Sequence, residues 1–172
     1  LQRDPDTIRA IHAESLMALP SNSPVGSRMA IMLGGAASGA AKKIRDRVMA
    51  IAAHNFQLPV DRLVYEGGDV SVEGDPQKTM TWTQLVDIAH RKYHEMPLES
   101  EPGLQASFIW EVPTGGALPA ADGTVQMYPC YSFEAHIPLI AIDPDTGQAE
   151  ILEYYIGHDC GTAINPDIVR GM

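Results

Sequence analysis

Two short segments of this chain hold the residue types that could do chemistry. The first is Gly26-Ser27-Arg28, followed by Met29 and Ala30 and then by the small-residue run Gly34-Gly35-Ala36-Ala37-Ser38-Gly39-Ala40-Ala41. A glycine-flanked turn lets backbone N–H groups converge, and a helix entry adds its partial positive end; together they suit a phosphate or another anionic group. Small side chains at the helix entry also permit close approach by a neighbour or a ligand. Five of the twelve Lys and Arg residues (Arg28, Lys42, Lys43, Arg45 and Arg47) fall between positions 28 and 47, where Asp46 is the only acid. The four cations from Lys42 onward are expected to form a solvated helix face, which leaves Gly26, Ser27 and Arg28 as the functional candidates. The turn matches neither a Walker loop nor a GxGxxG fingerprint.

The second segment is His158-Asp159-Cys160-Gly161-Thr162-Ala163-Ile164-Asn165-Pro166, a polar loop opening off an apolar run. As a zinc site it fails on ligand count, because a closed site takes four and the other histidines show no ligand spacing to one another. Cys160 as a nucleophile would need a nearby cation or helix end to lower its pKa, and a buried, inert thiol is the more frequent condition. No residue stands out as a general base: Glu14, Glu111 and Glu134 fit surface, edge or ion-paired carboxylates better.

The elements that must position these segments are of both kinds. Ile8 and Ala10 alternate with Thr7 and Arg9 as in a short half-buried strand, with a helix as the rival, and Pro20 to Pro24 make a loop. Ala41, Ile44, Val48, Ile51 and Ala52 recur at helical spacing within 34–54. A two-stranded ribbon is expected over 63–65 and 69–72, turning at Gly67-Gly68, and a helix from the capping-box spacing of Thr81 and Gln84 to about Tyr93. Residues 95–107 and 113–122 are Pro- and Gly-rich loops of a site or an interface, with a short strand at 108–112 between them. Two apolar runs, 131–142 and 149–156, flank the turn Asp143-Pro144-Asp145-Thr146-Gly147 and form a hairpin. The fold class is α+β, a mixed sheet with packed helices.

A chain of 172 residues with 45% hydrophobic and 20% charged residues can own a core. The net charge of −10 disfavours nucleic acid and anionic membrane surfaces as partners. Cys130 and Cys160 do not suggest a disulfide framework, which points to a reducing cytoplasm. No apolar run approaches the roughly eighteen residues that span a bilayer. Leu1 at the start, and Gly171-Met172 with no closing element, have the look of cut ends.

Four stretches carry a resemblance. IGHDCGTAINPDIVRGM is similar to D-D-C-G-x-x-I-N-P-x-I-V-x-G-Q, and GSRMAIMLGGAASGAAKKIRDR to a GSR…GAA…A-x-K-x-R segment. AIDPDTGQAEILEYYIGHDCG resembles a hairpin leading into the same loop, and DPDTIRAIHAES a D-P-x-x-I-x-V-x-x-G-D-T strand. In this order and spacing they resemble the large, molybdopterin-binding subunit of molybdenum hydroxylases of the xanthine dehydrogenase and aldehyde oxidase family, nearest its carbon monoxide dehydrogenase branch. The resemblance implies that 1–172 is a partial molybdopterin-binding domain, with one cofactor loop near 24–41 and a hairpin with a second loop at 130–172. Carried over by position, Gly26, Ser27, Arg28 and Ala30 would line the molybdenum and pterin. Asp159, Cys160, Gly161 and Asn165 would belong to the second cofactor-facing loop, and both loops would converge on one pocket.

What the resemblance further implies is a molybdenum-dependent oxidoreductase working as part of a larger complex. Its cofactor would be molybdenum-molybdopterin with a cytosine dinucleotide, and iron-sulfur clusters and FAD would sit on partner subunits. The complex would hydroxylate or oxidise a small organic or one-carbon substrate with water as oxygen source. The catalytic glutamate, the substrate-side loop and a glycine-glutamine-glycine cofactor loop of that family lie outside these residues, so no residue is assigned as catalytic or as a metal ligand. Three places depart from the family pattern: Met172 for glutamine, Ala13-Glu14-Ser15 for Gly-Asp-Thr, and His158 for the first aspartate. A rival reading is a non-catalytic assembly module that contacts partner subunits without touching cofactor; another is a small anion-binding domain that works alone as a monomer.

Overall fold

Val48, Ile51 and Ala52 recur at the spacing that brings one stripe of a helix to a single side, and they are the buried residues of α1, Met29–Phe56. The computed structural model describes residues 1–11, 16, 26–112 and 118–171, which fall in two units, Leu1–Glu111 and Val112–Met172. The Ala13-Glu14-Ser15 and Met172 departures and the proline loop of 20–24 lie outside the described residues.

In the first unit α1 packs on α2 (Trp82–Arg91) and on a three-stranded sheet of β1 (Leu63–Glu66), β2 (Asp69–Val72) and β3 (Asp75–Met80). Leu85, Ile88 and Ala89 repeat the same helical spacing, and with Leu63, Val70 and Met96 they complete the core. Fully burying a side chain such as Ile51 or Leu85 stabilises by about 1.5–3 kcal/mol. β1 and β2 pair from Leu63↔Val72 to Glu66↔Asp69, closed by Gly67 and Gly68 at φ 58° and 100°. Two consecutive left-handed residues are what the tightest hairpin turn demands. α2 starts at a true capping box: the Thr81 hydroxyl accepts from Gln84 N, and Gln84 Oε1 accepts from Thr81 N at 2.8 Å. Asp69 Oδ1 accepts from Trp82 N at 2.7 Å and ties β2 to the helix start.

The second unit holds β4 (Phe133–Ile142), β5 (Ala149–Asp159) and the short α3 (Pro166–Gly171). The hairpin closes where Asp143 Oδ1 accepts from Asp145 N (2.8 Å) and Thr146 N (3.2 Å) and where Gly147 takes φ 71°. Both strands are exposed along their whole length.

The expected α+β class forms. Each sheet is antiparallel, because its strands are joined by links too short for a parallel crossover, so no parallel pair makes a mixed sheet among the described residues. α1 starts at Met29 rather than at 34, and β5 runs on to Asp159, which puts His158 and Asp159 into the ladder. Two expected strands do not form: 5–7 is a 3₁₀ turn with Ile8 extended beyond it, and 108–112 has no ladder partner among the described residues. β3 was not expected; its register slips between Ser71 and Val72, and Pro76 lies within it.

Candidate functional site

The first candidate turn is built from backbone. Gly26 and Ser27 take φ 75° and 55°, successive left-handed residues of which the second is not glycine. A serine there carries a cost of about 1–2 kcal/mol, a departure that clusters at functional positions. Arg28 follows at the N-cap position (φ −86°, ψ 1°) without a side-chain capping bond, and its carbonyl accepts from Met32 N at 2.9 Å. The N–H groups of Met29, Ala30 and Ile31 therefore precede the first intrahelical bond, and α1 carries no acid in its first turn. Gly26, Ser27, Arg28 and Ala30 thus share one short turn, with donors and the positive helix end available to an anion.

The glycines inside α1 have a different purpose. A Cβ on Gly35 would overlap the ring of Trp110, and one on Gly39 the ring of Phe108. Neighbouring aromatic side chains, not a ligand, occupy these two slots. The segment that delivers them runs back along α1 and is tied to it by two cations. Arg47 Nη1 donates to Gly103 O (2.8 Å) and Gln105 O (3.3 Å), its Nη2 pairs with Glu101 Oε2 (2.7 Å), and its side chain is only 16% exposed. Lys43 Nζ donates to Ser107 O at 2.9 Å and lies 5.5 Å from the Phe108 ring centroid. The expected solvated face holds for Lys42, paired with Asp46 at 2.6 Å, and for exposed Arg45. It fails for Arg47 and in part for Lys43, because guanidinium and ammonium donors satisfy backbone carbonyls of a segment that has no ladder of its own.

The second candidate turn follows β5. Asp159 Oδ1 accepts from Gly161 N at 2.8 Å, and Gly161 sits at φ 70° with open space where a Cβ would be. Asn165 Oδ1 accepts from Asp167 N (3.0 Å) and Ile168 N (3.2 Å), capping α3. The side chains of Asp159 and Asn165 therefore shape the loop, while Cys160 is exposed with its thiol 3.8 Å from Gly161 O. It is thus not the buried thiol the sequence favoured, since no described residue covers the end of the hairpin.

Sequence reasoning passed over a neighbouring cluster. On one face of the hairpin His158 Nδ1 lies 2.6 Å from Glu134 Oε1, His136 Nε2 lies 3.1 Å from Glu134 Oε2, and Tyr154 Oη lies 3.2 Å from His136 Nδ1. Hydrogen bonds first from His136 and then from His158 hold the Glu134 carboxyl below the usual carboxylate range. Glu134 is thus an exposed carboxylate with histidine partners, within the expected range of surface, edge or ion-paired; those partners depend on the cross-strand register Glu134↔His158, which periodicity alone does not supply. Among the described residues no group of three His, Cys, Asp or Glu is arranged to hold a metal ion.

The chain is similar to several known proteins. The carbon monoxide dehydrogenase large chain of Hydrogenophaga pseudoflava is 33% identical over 147 residues, covering 86% of this chain and 16% of that one. The nicotine 6-hydroxylase large subunit of Paenarthrobacter nicotinovorans is 29% identical over 148 residues, again covering 86% of this chain and 16% of the relative. The crystal structure of the Cu,Mo-CO dehydrogenase in its carbon monoxide reduced state matches with a TM-score of 0.62 and 32% identity, over 85% of this chain and 16% of that chain. The chain thus spans 16% of the length of each of these relatives. A family model described as the molybdopterin cofactor-binding domain matches residues 1–172, so the chain belongs to that family, as part of a molybdenum hydroxylase large subunit.

Proposed function

We propose that this chain grips the molybdopterin cofactor through its two irregular turns, within a molybdenum hydroxylase that oxidises a small organic or one-carbon substrate with water as the oxygen source. The observation that carries the reading is the entry of α1: a left-handed Gly26-Ser27 pair leads into a helix start without a capping side chain, in a chain matched throughout by the cofactor-binding family model. N–H donors ahead of the first intrahelical bond, with no acid in the first turn of α1 itself, fit an oxygen-rich, phosphate-bearing group. Gly26, Ser27, Arg28 and Ala30 hold that group at the first turn. At the second, Asp159 and Asn165 fix the loop, and Cys160 and Gly161 present exposed backbone and thiol to it.

When bound, the cofactor supplies the redox chemistry, and the chain's own share is binding and orientation. The cofactor nucleotide is cytosine dinucleotide, and the electrons leave through iron-sulfur clusters and FAD on partner subunits. A general base comes from the remainder of the large subunit. The exposed, unpaired Cys130 and Cys160 suit a reducing cytoplasm, and none of the helices among the described residues is long and apolar enough to cross a membrane. The test is the molybdenum and pterin content of the native complex containing this chain, by elemental analysis and by fluorescence of the released pterin. About one of each per complex is expected. A complex of full size that contains neither overturns the reading in favour of an assembly module.

A further inference from the structure

We propose that Glu134 is a positioning residue for the second cofactor turn, holding the open end of the hairpin so that Asp159, Cys160 and Gly161 leave β5 in a fixed direction. The inference rests on the reading of that turn as cofactor-facing. Glu134↔His158 and Phe133↔Asp159 are the last two pairs of the ladder, where an antiparallel hairpin opens most readily. At this end the side chains alternate in direction, so His158 and Asp159 are held from opposite faces. On one face Glu134 grips His158 at 2.6 Å; on the other, the Asp159 carboxylate reaches forward to Gly161 N at 2.8 Å. The backbone between them is anchored from both sides.

Glu134 is itself steadied. His136 contacts its second oxygen at 3.1 Å, and Tyr154 backs His136 through a 3.2 Å bond and an edge-on ring contact at 5.8 Å. The series Tyr154, His136, Glu134, His158 starts on β5, passes through β4 and returns to β5, so it laces the two strands together beside the turn. The far end of the hairpin needs no such device, because Asp143 and Gly147 close it locally.

The test compares Glu134→Ala, Glu134→Gln and Gly161→Val in the complete complex, reading amide exchange along the hairpin and molybdenum per complex. For Glu134→Ala, exchange at 157–161 should quicken roughly tenfold while 141–149 is unchanged. Molybdenum retention should fall about tenfold, as when a residue supporting a ligand is lost. Glu134→Gln keeps an oxygen facing His158 and should restore most of both. Unchanged exchange at 157–161, or an equal loss of protection along the whole hairpin, overturns the positioning role. Faster exchange with full molybdenum in Glu134→Ala, alongside molybdenum loss in Gly161→Val, overturns Glu134's link to the cofactor and leaves the turn's role standing. Full molybdenum in Gly161→Val removes the cofactor reading of the turn itself.

Discussion

Two glycines of α1 should respond in opposite ways to the same substitution. Gly34 and Gly39 both lie inside the helix, so replacing either with alanine gains the same propensity, about 0.8–1 kcal/mol. At Gly34 a Cβ meets nothing within 4 Å, and the gain should appear undiminished. At Gly39 the Cβ would overlap the Phe108 ring, which must shift or leave its slot. Overpacking of that kind costs about 1–3 kcal/mol, leaving a net loss of up to about 2 kcal/mol. Because the propensity gain is common to both variants, their difference isolates the cost at the ring. Amide exchange of α1 in the full chain reads it directly, since 1.4 kcal/mol is about tenfold in an opening equilibrium. Gly34→Ala should slow exchange about fourfold and Gly39→Ala should speed it, with the difference vanishing in a Phe108→Ala background. Equal slowing by both variants would refute the account of the glycines as aromatic slots.

Arg47→Met should release the segment beyond Glu101, at a cost of about 1–3 kcal/mol for the carbonyls left without their donor, and limited proteolysis between 101 and 112 should become several times faster than in the parent. Thr81→Ala removes the hydroxyl that accepts from Gln84 N, while the backbone N–H at 81 can still donate to Gln84 Oε1, and should lower the stability of the first unit by about 0.5–2 kcal/mol, measured by exchange at Leu85 and Ile88. Glu134 titrates below its ordinary range in the folded hairpin, so the stability it lends is present above the unfolded carboxylate pKa and is lost as pH falls through the lower folded one. Acid titration of the hairpin amides should therefore show an unfolding limb below about pH 4.5 that shrinks in Glu134→Gln.

Elements announced by neighbouring residues were legible in the sequence. Gly67-Gly68 names a turn, Thr81 and Gln84 name a helix start, and Asp143 to Gly147 name a hairpin, because each signal and its effect lie within a few residues. The start of α1 was less so: arginine at the N-cap position gives no capping signal, and glycines at 34, 35 and 39 suggest a breaker until their aromatic neighbours are known. β3 escaped because an exposed edge strand containing Pro76 has neither alternation nor apolar content to announce it. Residues 8–10 and 108–112 have strand-like composition, yet a strand exists only where a partner ladder does. At the site, glycines marked the turns, but the left-handed Ser27 went unannounced, and the grip of Arg47 on Gly103 and of Glu134 on His158 depends on distant residues meeting, which one-dimensional spacing does not reveal.

Gly26→Val bears most directly on the role of the first turn, since a β-branched residue cannot hold φ 75° and must displace the donors at the start of α1. In a complex purified at normal subunit size, the molybdenum-to-protein ratio should drop several-fold below that of the parent, with released pterin falling in step. A Gly26→Val complex that retains its full complement of both would contradict the account.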